Sequence, residues 1–174
     1  MFLNRLLNRH LPLAAAAVAA VLLPAALARA VEVSTFGPSG GAGGEPLKAC
    51  SVTLIDGVPL RISEIRVRSG DYIDAIQLVY SNGKVGPRQG GLGGRLSSFR
   101  LEPDETVTIV SGRYGDHVDS LAITTSKGRT QRWGGSGGTA AYSYTAPAGM
   151  WVGDLTGRAG QYLDAIGVCI VDPR

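Results

Sequence analysis

Histidine is almost missing from this chain. Two occur in 174 residues, and His10 lies in an apolar leader, so residues 31–174 hold His117 alone. One imidazole excludes a His-clustered metal centre. A serine triad would have to use it, and the G-x-S-x-G spellings at 37–41 and 134–138 lack the following helix that a nucleophile elbow needs. Helical periodicity is missing too: past residue 30, no twelve-residue stretch places apolar side chains at helical spacing. Excess charge is the third absence. The net +3 comes from Arg5, Arg9 and Arg29, and the rest of the chain balances 14 basic against 14 acidic residues. A neutral domain lacks the basic footprint of a nucleic-acid binder, so nucleic acid is not an expected partner.

The leader accounts for that charge. Arg5 and Arg9 precede the run "LPLAAAAVAAVLLPAALA", broken by Pro24 and closed by Ala28-Arg29-Ala30. A positive start, an apolar stretch and an A-x-A ending predict a signal peptide over residues 1–30, cut after Ala30. A single membrane anchor is the competing reading of the run. Cleavage implies a secreted or periplasmic protein with no membrane span in the remaining 144 residues, enough for one domain over 31–174. Two cysteines, Cys50 and Cys169, would then meet an oxidising compartment, where an even count predicts a disulfide. Cys169 nevertheless alternates out of phase with Ile166, Val168 and Ile170.

Short alternating runs fill the domain: "CSVTLI", "ISEIRV", "IDAIQLVY", "TVTIVS", "VDSLAITT", "TQRW", "YSYTA" and "YLDAIGVCIV". They are rich in Val, Ile, Thr and Tyr and bounded by Gly, Asp, Asn and Pro, so the predicted class is all-β. Three of them begin alike. "GDYIDAIQL" from Gly70, "GDHVDSLAI" from Gly115 and "GQYLDAIGV" from Gly160 recur every 45 residues, each with an aspartate four residues after the glycine. Period-2 alternation turns Ile76 and Leu78, Leu121 and Ile123, and Ile166 and Val168 inward. Asp74, Asp119 and Asp164 then sit where a bend becomes a strand, expected partly hydrated at a sheet rim.

All 25 glycines fall in residues 31–174, and many are clustered. "GGAGG" covers 40–44, "GGLGG" covers 90–94 and "GGSGG" covers 134–138, alternating with the Gly-x-x-x-Asp bends. Three copies of each motif predict a threefold body of about four strands per unit. Three units are too few for a propeller, and three sheets packed as a prism fit the count.

A glycine-only loop leaves its N–H groups unshielded and able to line a concave nest. An ionised aspartate opposite accepts hydrogen bonds through two oxygens. Donors facing a bidentate acceptor match a pair of neighbouring sugar hydroxyls. Other glycine chemistries fail on spacing. Gly91 and Gly93 lack the third glycine of a dinucleotide loop, and Val85 follows Lys84, unlike a P-loop. Glu45, Arg95 and Thr139 follow the three loops, where a calcium repeat needs Asp. No metal or cofactor is expected.

With "FGPSGGAGGEP", "WGGSGG" and "GRAGQYLDAIGV", residues 36–174 resemble the jacalin-related lectins. The resemblance implies a β-prism I fold of three four-stranded antiparallel sheets with pseudo-threefold symmetry. It also implies sugar sites built from an aspartate, amides of the bend before it and the end of a Gly-rich loop. Carried over, Asp164 with Gln161 and Tyr162 faces Gly44; Asp74 with Asp71 and Tyr72 faces Gly94; Asp119 with Asp116 and His117 faces Gly138. All three units keep both motifs, where most members keep one or two. Gly44 is internal, whereas the galactose-preferring branch depends on a freed glycine amine, so mannose- or glucose-type glycans or glycoconjugates are the implied partners. Tyr72 and Tyr162 are candidates to cover a sugar ring.

Departures from the pattern are specific. His117 stands where the other bends have tyrosine and reads as a surface histidine, and Leu92 replaces the small central residue of its loop. These two support the alternative of a structural or protein-binding module that lost the sugar. A glycosidase would need two carboxyls about 5–10 Å apart, and threefold-related aspartates are expected to stand farther apart, so no enzyme is expected. Trp133 and Trp151 read as packing residues. A homo-oligomer is left open by the sequence.

Overall fold

The computed structural model describes residues 31–50 and 52–173. The predicted signal peptide and its cleavage point lie outside the described residues. Among those described there is no helix, and so none long and apolar enough to cross a membrane. The strands are β1 (Glu32–Gly40), β2 (Glu45–Pro46), β3 (Leu54–Ile55), β4 (Val58–Pro59), β5 (Ile62–Ser69), β6 (Ile73–Tyr80), β7 (Gln89–Gly90), β8 (Arg95–Arg100), β9 (Val107–Tyr114), β10 (Val118–Thr125), β11 (Thr130–Gly134), β12 (Ala140–Thr145), β13 (Trp151–Ala159) and β14 (Leu163–Asp172).

Three long antiparallel hairpins organise them: β5–β6, β9–β10 and β13–β14, each turned by one Gly-x-x-x-Asp bend. Every hairpin gains two outer strands, one leading into a Gly-rich loop and one leading out. The orders are β7-β6-β5-β8, β11-β10-β9-β12 and β1-β14-β13-β2. All pairings are antiparallel, as the prism requires. The last two units are not separate, however. One pair, Val152↔Val107, joins β13 to β9 and makes an eight-stranded sheet. The junction lies where both strands begin, at the end away from the bends, where twisted neighbouring sheets converge. A two-stranded β3–β4 hairpin stands apart.

The interior is one apolar cluster fed by all three hairpins, with Ile65 and Ile76, Val110 and Leu121, and Leu155 and Ile166 among its members. The six inward positions predicted after the aspartates are all buried. Trp133 and Trp151 are buried as packing residues. Trp133 meets the Phe99 ring edge-on, and its indole N–H donates to Ser97 Oγ at 2.6 Å, tying β11 to β8.

"CSVTLI" forms less strand than its alternation predicts: among its described residues only Leu54–Ile55 form strand. Cys50 lies outside any strand, and its Sγ is 3.0 Å from Thr35 Oγ1, over the β1–β14 pair. Strand β14 is therefore covered on both faces, and every residue from Leu163 to Val171 is buried. The outward-pointing Cys169 meets Cys50 there and the two are joined, with Cα atoms 5.6 Å apart and a separation of 119 positions in sequence. The phase mismatch of the two cysteines disappears because only one of them belongs to a ladder. Reduction of this bond is expected to lower the unfolding free energy by about 4–5 kcal/mol, from the loop it closes. Urea titrations with and without reductant measure that loss.

Candidate functional site

The three bends share one geometry. The amide of the first glycine donates to the carbonyl two residues on: Gly70 to Tyr72 at 3.0 Å, Gly115 to His117 at 2.9 Å and Gly160 to Tyr162 at 2.9 Å. At the next residue the chain enters a strand, and the aspartate at its second position turns its carboxylate back toward a Gly-rich loop. That loop is pinned beneath it. Gly41 N donates to Asp164 O, Gly91 N to Asp74 O and Gly135 N to Asp119 O, each at 2.9 Å.

Only glycine fits at the loop ends. Gly44, Gly94 and Gly138 have φ of +58°, +60° and +81°, in the left-handed region. A methyl group on any of them would strike the carboxylate of Asp164, Asp74 or Asp119 respectively, and the preceding glycines Gly43, Gly93 and Gly137 are equally close. The expected partners are thus adjacent: Asp164 with Gly44, Asp74 with Gly94, Asp119 with Gly138. The carboxylates are less hydrated than a sheet rim suggests. Their residues are 4%, 7% and 6% exposed, because the loops close over them. Asp164 Oδ2 is buried and has no hydrogen-bond partner in the protein.

One set of functional residues escaped the sequence reading. Arg158 donates from Nε to Gly43 O and from Nη2 to Gly44 O, both at 2.7 Å. Arg113 does the same to Gly137 O at 3.0 Å and Gly138 O at 2.7 Å. Arg68 Nη1 reaches Leu92 O, Gly93 O and Gly94 O at 2.9–3.0 Å. With the carbonyls of each loop end held by a guanidinium, the peptide planes are fixed and their amides are oriented. The signal was available. Arginine precedes Gly70, Gly115 and Gly160 by two residues every time, so the repeat is R-x-G-x-x-x-D.

The three notches also touch one another. Side chains of Asp71, Asp116 and Gln161, expected within their own notches, are exposed, and their backbones lie against the next loop in the ring. Gly135 N donates to Asp71 O at 3.2 Å. A Cβ on Gly41 would hit Asp116 O, and one on Gly91 would hit Gln161 O. Tyr72, His117 and Tyr162 converge, with ring centroids 5.7, 5.4 and 4.9 Å apart, so the tyrosines face each other and the histidine at the centre of the prism end. His117 is no free surface histidine. Its Nδ1 lies 2.9 Å from Asp164 Oδ1, in the neighbouring notch, with its side chain one-third exposed. Facing a carboxylate, that nitrogen carries the proton and donates. Among the described residues, no three His, Cys, Asp or Glu side chains group as metal ligands.

This architecture has relatives. Residues 36–169 match the Jacalin-like lectin domain model. The chain belongs to the jacalin-like lectin family. Among solved structures, this lectin domain is similar to wild-type Malaysian banana lectin, at 27% identity and TM-score 0.69 over 82% of this chain and 100% of that one. A mannose-binding jacalin-related lectin from Ananas comosus aligns at 27% identity and TM-score 0.68, over 79% and 96% of the two chains. Artocarpin in complex with mannotriose aligns at 27% identity and TM-score 0.69, over 80% and 97%. No match is found among curated proteins.

Two variants probe the local geometry of the lectin domain. Arg158→Met should free the Gly43 and Gly44 carbonyls and speed amide exchange in residues 40–44 about tenfold, leaving 93–94 unchanged; hydrogen–deuterium exchange reads both loops. His117→Phe keeps a ring but removes the donor to Asp164. It should destabilise the domain by about 1–2 kcal/mol in chemical denaturation.

Proposed function

We propose that the domain is a secreted or periplasmic, non-enzymatic lectin that binds mannose- or glucose-type glycans in three notches at one end of the prism. Each notch sets a carboxylate against amides of a Gly-rich loop, and a sugar diol bridges the two. The observation that carries this reading is Asp164 Oδ2, buried beside Gly43 and Gly44 and lacking any partner. A buried carboxylate oxygen without a donor costs free energy, and a ligand hydroxyl is the donor that fits the notch. Mannose-binding structural relatives at 27–28% identity support the same class of ligand. The joined Cys50 and Cys169 support an oxidising compartment.

A single shallow notch of this kind gives an affinity on the order of millimolar. Three on one body gain about 10²–10⁴ in avidity on a densely glycosylated surface. His117 and Leu92 make the notches unequal, since one carboxylate is already engaged and one loop carries an exposed leucine. Calorimetric titration with methyl α-mannoside is the direct test. Asp164→Asn should weaken binding in its own notch about tenfold or more with the melting temperature retained. An Asp164→Asn variant that titrates like the parent removes Asp164 from the site, and a glycan array without hits removes the lectin reading.

A further inference from the structure

The net charge of residues 31–174 is zero, but it is not evenly spread. Residues 61–101, which build the β7-β6-β5-β8 sheet, carry seven basic residues against Glu64, Asp71 and Asp74, a balance of +4. The remainder of 31–174 carries seven against eleven, a balance of −4. One sheet of the three holds the entire cationic excess.

Register places four of the seven, Arg66, Arg68, Arg88 and Arg100, on the sheet's outer face. Arg66 and Arg68 are two apart on β5 and so share a face. Arg66 stands between Gln77 and Ser98, and Arg68 between Ala75 and Leu96. Arg88 comes one residue before the Ile76↔Gln89 pair and extends the Gln77–Arg66–Ser98 row across the sheet. These rows enclose a shallow groove of about 260 Å³ lined by Arg66, Arg68, Arg88, Gln77, Leu96 and Ser98. The one acid on this face is Glu64, taken by Arg66 Nε at 2.9 Å and Arg100 Nε at 3.4 Å. The groove is contiguous with a notch, because Arg68 also holds the 92–94 carbonyls and Ala75 follows Asp74.

We propose that this groove is a second binding site, which takes sulfate or phosphate ester groups of an anionic polysaccharide while a neutral sugar of the same chain occupies the Asp74 notch. The second half rests on the lectin reading above; the first half does not. Guanidinium forks match the tetrahedral oxyanions of such esters, and Gln77, whose Nε2 donates one N–H to Gly86 O at 2.9 Å, has a second to offer. A nucleic acid fits this face less well. No aromatic side chain lines the groove to stack a base, and the acidic remainder of the body repels a long, stiff polyanion.

The test is binding of dextran sulfate, uncharged dextran, methyl α-mannoside and a short DNA duplex to the parent protein and three variants. Dextran sulfate should bind the parent and weaken as sodium chloride is raised, and uncharged dextran should show no such salt dependence. Arg88→Glu should weaken dextran sulfate about fivefold or more, with methyl α-mannoside affinity and melting temperature unchanged. Arg88→Lys should stay near the parent. Asp74→Asn should lose mannoside from its notch and keep dextran sulfate. Absence of dextran sulfate binding, indifference to Arg88→Glu, or tighter binding of DNA at equal charge concentration overturns the proposal. Loss of all mannoside binding with dextran sulfate retained sinks the lectin reading instead and leaves the groove standing.

Discussion

Each Gly-rich loop lies so close to its aspartate that a methyl group on either of its last two glycines would displace the carboxylate. Much of the rest follows from that contact. It demands hydrogen as the side chain at Gly43 and Gly44, Gly93 and Gly94, and Gly137 and Gly138. A loop made of glycine has the highest conformational entropy to lose, so something must hold it. The holding is done from behind by Arg158, Arg68 and Arg113, whose guanidiniums take the loop carbonyls. It is also done from below by amide bonds to the aspartate carbonyls. On the proposed lectin function, a carboxylate against pre-oriented amides accepts ligand hydroxyls with little further ordering, which is what a weak, shallow site needs.

Much of this was legible in sequence, and the legible part is the part with a simple period. Ile76 and Leu78, with their counterparts in the other units, alternate cleanly and are buried as read. The six glycine and aspartate motifs carry their own steric reasons. What stayed hidden lacked one clear pattern. Strand β13, "WVGDLTGRA", contains two glycines that break its alternation, although most of it is buried. Strand β8, "RLSSFR", buries only Phe99, so an edge strand passes for a loop. The clasping arginines did repeat, but a charge beside a bend reads as a solvated face until its partner is known. Partners in this fold come from residues 24–115 positions away.

Symmetry in the skeleton does not carry over to its decoration. The bends, the pinned loops and the arginine clasps obey the threefold rule. His117, Leu92 and the charge do not. His117 reaches into the notch of the neighbouring unit and occupies Asp164 Oδ1, a contact with no counterpart at the two tyrosines in the same ring positions. The neutral sum of residues 31–174 was a sound count and a poor guide to the surface, since opposite balances of +4 and −4 cancel in it. Net charge therefore excludes partners only when charge is also well mixed along the chain, and here it is not.

The units differ in how they are assembled as well. In the β5–β6 and β9–β10 units the four strands follow one another within about forty residues, so loop closure costs little. The β13–β14 unit borrows β1 and β2 from the other end of the chain, and its loop at 40–44 meets an aspartate at 164. Closing that distance costs the most chain entropy of the three. Cys50 and Cys169 are joined within this same unit. The covalent bond thus sits at the least local seam of the prism, anchored on β14, the strand that carries Asp164, and it adds to the β1 and β2 pairings, the Gly41–Asp164 bond and the Arg158 clasp that keep the two halves of that notch in register. A crosslink in either of the other units would close a far shorter loop, and by the same reasoning would stabilise less.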